Sequence, residues 1–315
     1  MGRCGRWATK VANFFTDEEE GAEASEAVAK VANSIVLMSY GREEDPERDF
    51  FTSRTPNWKL RVFNVIVGLI QLITGVIIAG ITKKDSRFPW YTDFAKSWQA
   101  SSPDFYVPDT REVADMPIGY YSALFLWLSA FNHFLTALPG GWQLYKYWLQ
   151  RNQNHFRWLE YSVSASIMHV MGAQLSGATE IHLLFAIFVL GATTMIFGSM
   201  HERANWKYYG YSSKERPRNW QPLISGFVPH LGGWLIILCY FFQAVSRGDP
   251  PGFVWAIIFI IFILDNTFAV MLWLQWFEWG IFKKNYVLGE IGFIILSLTS
   301  KQLLAWINYG GSQRA

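Results

Sequence analysis

Seven stretches of this chain are apolar for long enough to cross a lipid bilayer, and no other feature constrains the fold as tightly. They cover about 62–81, 118–138, 156–175, 181–197, 223–245, 253–276 and 286–307. A hydrocarbon core about 30 Å thick takes roughly 20 helical residues to cross. Backbone groups in lipid must be satisfied within each span, which leaves helices or a closed barrel, and runs of this length are helical. The sequence therefore predicts an all-α membrane protein with a seven-helix bundle. The third and fourth runs are separated only by residues 176–180, so those helices must be antiparallel neighbours. A hydrophobic content of 51% with 16 Trp fits this class, and 17% charged residues leave room for proper loops.

Charge sets the expected orientation. The loops on the N-terminal side carry 14 Lys and Arg, against 7 on the other side. Positive residues stay inside, so the N-terminus is expected in the cytoplasm and the C-terminus outside. A net charge of +2 gives no signature for nucleic acid. Cys4 and Cys239 lie far apart, the second within an apolar run, so no disulfide framework is indicated. No cleavable signal peptide is recognised at the start.

The expected domains are a polar cytoplasmic tail over 1–55, the bundle over 56–310 and a short extracellular tail over 311–315. Within the first tail, residues 22–38 are rich in Ala and Val and could form a helix on the membrane or the bundle. Gly2 and Cys4 stand where acylation could occur, but Arg6 replaces the Ser or Thr such a motif wants. The longest connection, 83–116, holds Trp90, Tyr91, Phe105 and Tyr106, and is expected to form an extracellular hairpin or lid.

One residue breaks the last apolar run. Lys301 is the single charge between Glu290 and Arg314. A lysine at that depth costs roughly 2.5–3.5 kcal/mol, and intramembrane ionisable groups mark functional sites by default. It could snorkel to the nearer surface. Alternatively its amine could be used covalently, as a Schiff base with a carbonyl cofactor. A buried cation of that kind needs an anion beside it. Only Glu160 and Asp265 lie well inside the other runs.

Glu160 is the expected partner, although depth argues against it. Lys301 lies 15 residues past Tyr286, about 22 Å along a helix, whereas Glu160 lies only four past Phe156. The gap narrows if the third helix starts near Arg151 and if the lysine leans toward its N-terminus. Ser164 follows Glu160 by one turn, and Ser129 and His133 share one face of the second helix. His133 reads either as a satisfied core residue or as a proton carrier. Gln71 is an awkward polar residue in the first run. Asp265 is either paired with a polar neighbour or a second stop for a proton.

Two segments carry a resemblance. Residues 157–162, Arg-Trp-Leu-Glu-Tyr-Ser, precede a turn rich in Ser and Met, and residues 296–306 read Leu-Ser-Leu-Thr-Ser-Lys-Gln-Leu-Leu-Ala-Trp. Over about 61–310 the chain resembles heliorhodopsins, retinal proteins of the microbial-rhodopsin type with inverted membrane orientation. The resemblance implies all-trans retinal on Lys301 and Glu160 as the Schiff-base counterion. It puts Ser297 where proton pumps have an aspartate, Ser129 and Ser164 near the Schiff base, and His133 in a polar cytoplasmic cavity. Met168, Trp234 and Phe268 are expected along the retinal, and Glu290 fits the family pattern. The long loop matches a hairpin that helps form a homodimer.

Two departures stand out: Gln71 replaces a second cavity histidine, and Asp265 is not part of the pattern. The implied function is a light sensor, not an enzyme, with a slow signalling photocycle, no pumping and an unknown cytoplasmic partner. The alternative is a light-gated proton conductor using Asp265, His169 and His230. A G-protein-coupled receptor is disfavoured by the orientation and by missing motifs in the third and seventh helices. No phosphate loop, metal spacing or broken-helix signature supports a transporter or a cofactor-dependent enzyme.

Overall fold

The computed structural model describes residues 16–17, 55–210, 217–283 and 286–312. The expected acylation site, the helix over 22–38 and residues 313–315 lie outside these. Thr16–Asp17 (β1) pairs antiparallel with Thr55–Pro56 (β2). The first long helix, α1, spans Trp58–Ile81 and is capped by Asn57, whose side chain accepts a hydrogen bond from the Lys59 N–H at 3.0 Å. The cap satisfies one of the N–H groups that a helix start leaves without an intrahelical partner.

The long connection is a hairpin rather than a lid. Strands β3 (Arg87–Ala95) and β4 (Pro108–Pro117) pair antiparallel, with a register shift between Trp90 and Tyr91. The hairpin is tied to the bundle at two points. The Trp90 indole donates to the Tyr121 hydroxyl at 2.9 Å, and the Tyr91 N–H to the Thr179 carbonyl at 2.9 Å.

Helix α2 (Ile118–Ala137) stops before a Ser-free, Gly-rich corner, and α3 (Gly141–Gln150) leaves it at 86°. Gly140 allows the corner because its φ is +84°, a conformation that a Cβ would strain. Then come α4 (His155–Leu175), α5 (Ile181–Asn205), α6 (Gln221–Arg247), α7 (Gly252–Trp276) and α8 (Tyr286–Ser312). Helix α6 carries Pro229 in its interior. Each of the seven apolar runs is one long helix; α3 is additional and was not foreseen.

Five of these helices, α1 and α5–α8, are long and apolar enough to cross a membrane, and α2 with α3 makes a sixth. Helix α4 falls short by composition, because Arg157, Glu160, several serines and His169 dilute its apolar character. Those residues are buried or half-buried, and α4 packs between α2, α5, α6 and α7. Close approach of α5 to α4 needs glycine at two points. A Cβ at Gly198 would fall 2.3 Å from the Trp158 ring, and one at Gly191 2.8 Å from the Ser166 hydroxyl.

Candidate functional site

The depth of the site is fixed by a buried ionic cluster where α4 and α8 begin. Arg157 donates to Glu290 at 2.6 Å and pairs with Glu202 on α5. Glu290 also accepts from the Tyr145 hydroxyl on α3 at 2.8 Å and the Asn154 amide at 2.7 Å. Glu202 accepts from the Trp158 indole at 2.7 Å and the Tyr286 hydroxyl at 2.8 Å. A buried ion pair stabilises only when its remaining lone pairs are satisfied, and here both carboxylates are. Glu290 was legible in the sequence, but Glu202 was not. The fourth apolar run ends near 197, and only the helical continuation to Asn205 brings Glu202 inside.

This cluster sets Arg157 level with the first turn and a half of α8. Four residues on, the Tyr161 hydroxyl donates to the Phe293 carbonyl at 3.2 Å. Helix α4 starts at His155 and not near Arg151, so an earlier start does not close the depth gap. Two other effects do. Helix α8 begins earlier than α4 relative to the ionic cluster, since Glu290 is its fifth residue and Arg157 the third of α4, and the Lys301 side chain reaches back one turn to Ser297.

There Lys301 meets three partners. Its Nζ donates to Glu160 Oε1 at 2.7 Å, to the Ser297 hydroxyl at 3.0 Å and to the Ser129 hydroxyl at 3.1 Å. An ammonium has three donors, so this set is complete. The Lys301 and Glu160 side chains are 3% and 4% exposed, which excludes snorkelling. Nζ also sits 5.1 Å from the centre of the Tyr161 ring.

Two cavities flank the pair. The larger is partly open, spans about 840 Å³ with that open space included, and is walled mostly by apolar side chains, among them Trp158, Tyr161, Met168, Met195, Phe268 and Leu272. Lys301, Ser164, His230 and Asp265 also face it. The Ser164 hydroxyl is buried without a hydrogen-bond partner among the described residues. The smaller cavity, about 310 Å³, is polar and lies between Glu160 and the ionic cluster, with Asn64, His133, Glu290 and Ser297 in its wall. His133 shares a hydrogen bond with the Asn64 amide oxygen at 2.7 Å. Gln71 is buried one turn beyond Gly68 on α1, outside this wall, and its amide has no partner among the described residues.

Asp265 belongs to a second polar group. It is hydrogen-bonded to His169 on α4, and its Oδ2 accepts from the Trp234 indole at 3.2 Å. Trp234, expected along the larger cavity, stands outside its wall and holds Asp265 instead. The structure thus brings Lys301, Glu160, Ser129 and Ser297 together and sets Ser164, Met168 and Phe268 around the adjoining cavity. His133 lies on the polar side, while Asp265, His169 and Trp234 form a second group whose carboxyl faces the larger cavity.

These features define a helical membrane protein with an amine held against a carboxylate at the edge of an apolar cavity. The heliorhodopsin family model matches residues 60–313, so the chain belongs to the heliorhodopsin family. It is accordingly an integral multi-pass membrane protein of the retinal-binding, photoreceptor type. No curated protein matches it. The residues present fit a retinal: a primary amine opens into a cavity walled mostly by apolar side chains, and a Ser164 hydroxyl without a partner among the described residues lies in the wall.

Proposed function

We propose that the protein senses light through all-trans retinal joined to Lys301 as a protonated Schiff base, with Glu160 as counterion. The observation that carries this reading is the Lys301–Glu160 contact, buried at the edge of the apolar cavity. The Lys301 amine would hold the retinal aldehyde as an imine, with loss of water. Bound retinal supplies visible absorption and photoisomerisation.

The chain's own residues handle the proton. Glu160 favours the protonated nitrogen electrostatically, as an opposite charge within hydrogen-bond reach must. Ser129 and Ser297 hold the nitrogen's direction while adding no second charge. Ser297 cannot accept a proton as an aspartate would, which supports a signalling cycle without pumping. The polar cavity, with His133 and Asn64, lies beside the counterion, where a proton leaving the nitrogen would neutralise the Glu160 carboxylate.

The same reading takes all seven long helices as spans, since the polar residues of α4 face inward and cost nothing to lipid. It sets the N-terminus in the cytoplasm from the charge bias. It also takes the protein as a homodimer with a cytoplasmic signalling partner. Exposed Phe94, Trp98 and Tyr106 on and around the hairpin support a contact surface there.

A second reading, light-gated proton conduction, draws on the buried His169–Asp265 pair. Photocurrent lost on Asp265→Asn would favour it, and no current at any voltage would remove it. The first experiment is an absorbance spectrum of protein expressed with all-trans retinal, beside Lys301→Ala. A visible band in the first and not the second is expected. A colourless, folded wild-type protein would sink the reading.

A further inference from the structure

We propose that Asp265 is a fixed negative charge in the wall of the retinal cavity, remote from the Schiff base, that shifts the chromophore's absorption to longer wavelength. The proposal rests on the retinal reading above. Three observations lead to it, beginning with the hydrogen bonds. The Asp265 Oδ2 receives the Trp234 indole N–H at 3.2 Å and also bonds His169 Nε2. An indole nitrogen donates only, so Oδ2 accepts from Trp234, and when His169 Nε2 carries its proton it donates to the same oxygen, which is the arrangement of a carboxylate.

The second observation is position. Asp265 faces the large cavity, whereas His169 and Trp234 are not in its wall, so the negative end of the group is turned inward. The third is separation from the amine. Lys301 bonds Glu160, Ser129 and Ser297, and none of these touches Asp265. Along α4, Glu160, Ser164 and Met168 follow one another at single turns, and His169 comes next. The two carboxylate sites are therefore set apart by about 13 Å along that helix at ~1.5 Å per residue. His230, whose Nε2 has no partner among the described residues, is the other titratable group facing this part of the cavity.

The sign of the effect follows from charge movement. Excitation of a protonated polyene imine moves positive charge away from the nitrogen toward the far end of the chain. An anion beside the nitrogen stabilises the ground state more and raises the excitation energy. An anion beside the rest of the chain stabilises the excited state more and lowers it. In the low-dielectric interior such charges act strongly. Glu160 and Asp265 thus pull the colour in opposite directions.

The test is the absorption maximum of Asp265→Asn, a variant that keeps an oxygen for the Trp234 indole. A shift to shorter wavelength is expected, opposite to the red shift of Glu160→Gln in acid, where the nitrogen stays protonated. An unmoved band, or a shift to longer wavelength, would overturn the proposal. A wild type that stays colourless would defeat the retinal reading itself, before this variant speaks.

A second measurement needs neither variant nor retinal. Among the described residues Asp265 is the only aspartate within a helix. Infrared spectra of the retinal-free protein with 13C-labelled aspartate should show carboxylate bands alone at neutral pH. A protonated aspartic acid band would refute the assignment.

Discussion

Glu160 lies within 2.7 Å of the Lys301 amine although the two residues stand five and fifteen positions into their helices. That contact depends on the ionic cluster below it and on the backward lean of the lysine. If Glu160 is the counterion, Glu160→Gln leaves a buried cation without its anion. Breaking a buried pair in this way costs about 3–5 kcal/mol. At 1.36 kcal/mol per unit, the Schiff-base pKa should fall by about 2–4 units. Titrating the visible band against its deprotonated near-ultraviolet form measures this. An unchanged titration would remove Glu160 from the role.

Arg157 bridges two carboxylates from different helices, Glu202 on α5 and Glu290 on α8. Arg157→Met should therefore strand two buried acids and destabilise the protein by at least the ~3–5 kcal/mol of one broken pair. Arg157→Lys should recover little, because an ammonium lacks the planar fork that reaches both partners. Thermal unfolding in detergent with and without retinal would read both.

At Gly198 a Cβ would sit 2.3 Å from the Trp158 ring, whose indole is held by Glu202. Gly198→Ala should cost about 1–3 kcal/mol through overpacking. Trp158 also faces the large cavity, so its displacement should lower the fraction of protein that takes up retinal. Normal melting temperature and normal uptake together would contradict the packing described.

Glu180 caps α5, accepting from the Leu183 N–H at 2.6 Å. Partial burial works to raise its pKa, but hydrogen bonds from His182 and the Leu183 N–H outweigh this and hold the carboxyl below its usual value. A depressed carboxyl stabilises the fold above its unfolded-state pKa and stops doing so as the pH falls through the folded one. Glu180→Ala should cost about 1 kcal/mol at neutral pH. The difference from wild type should begin to shrink as the pH falls through about 4 and be lost only below the folded-state pKa. Unfolding midpoints at several pH values give the comparison.

The long helices were legible because apolar runs of bilayer length have few alternatives, and Lys301 was legible because nothing else charged surrounds it. The partner choice was legible too, since only two other carboxylates lie deep in the runs. Three features were not. Helix α3 is polar and aromatic, without the periodicity of a span, and its 86° turn rests on the φ of one glycine. Glu202 lies past the end of an apolar run, where sequence reads as loop. Trp234 was placed along the retinal by the family resemblance, which carries position and not the direction of an indole. Only packing shows that its indole is turned toward Asp265.

Pro229 gives the cavity wall an uneven stiffness. A proline has no N–H, so the bond that would close the turn of α6 back to Ser225 is missing. That gap falls beside Gly226, Phe227 and His230, three of the residues facing the large cavity. Every other long helix along this wall is free of interior proline among the described residues. When something inside the cavity changes shape, α6 is the wall whose backbone meets it with one hydrogen bond fewer.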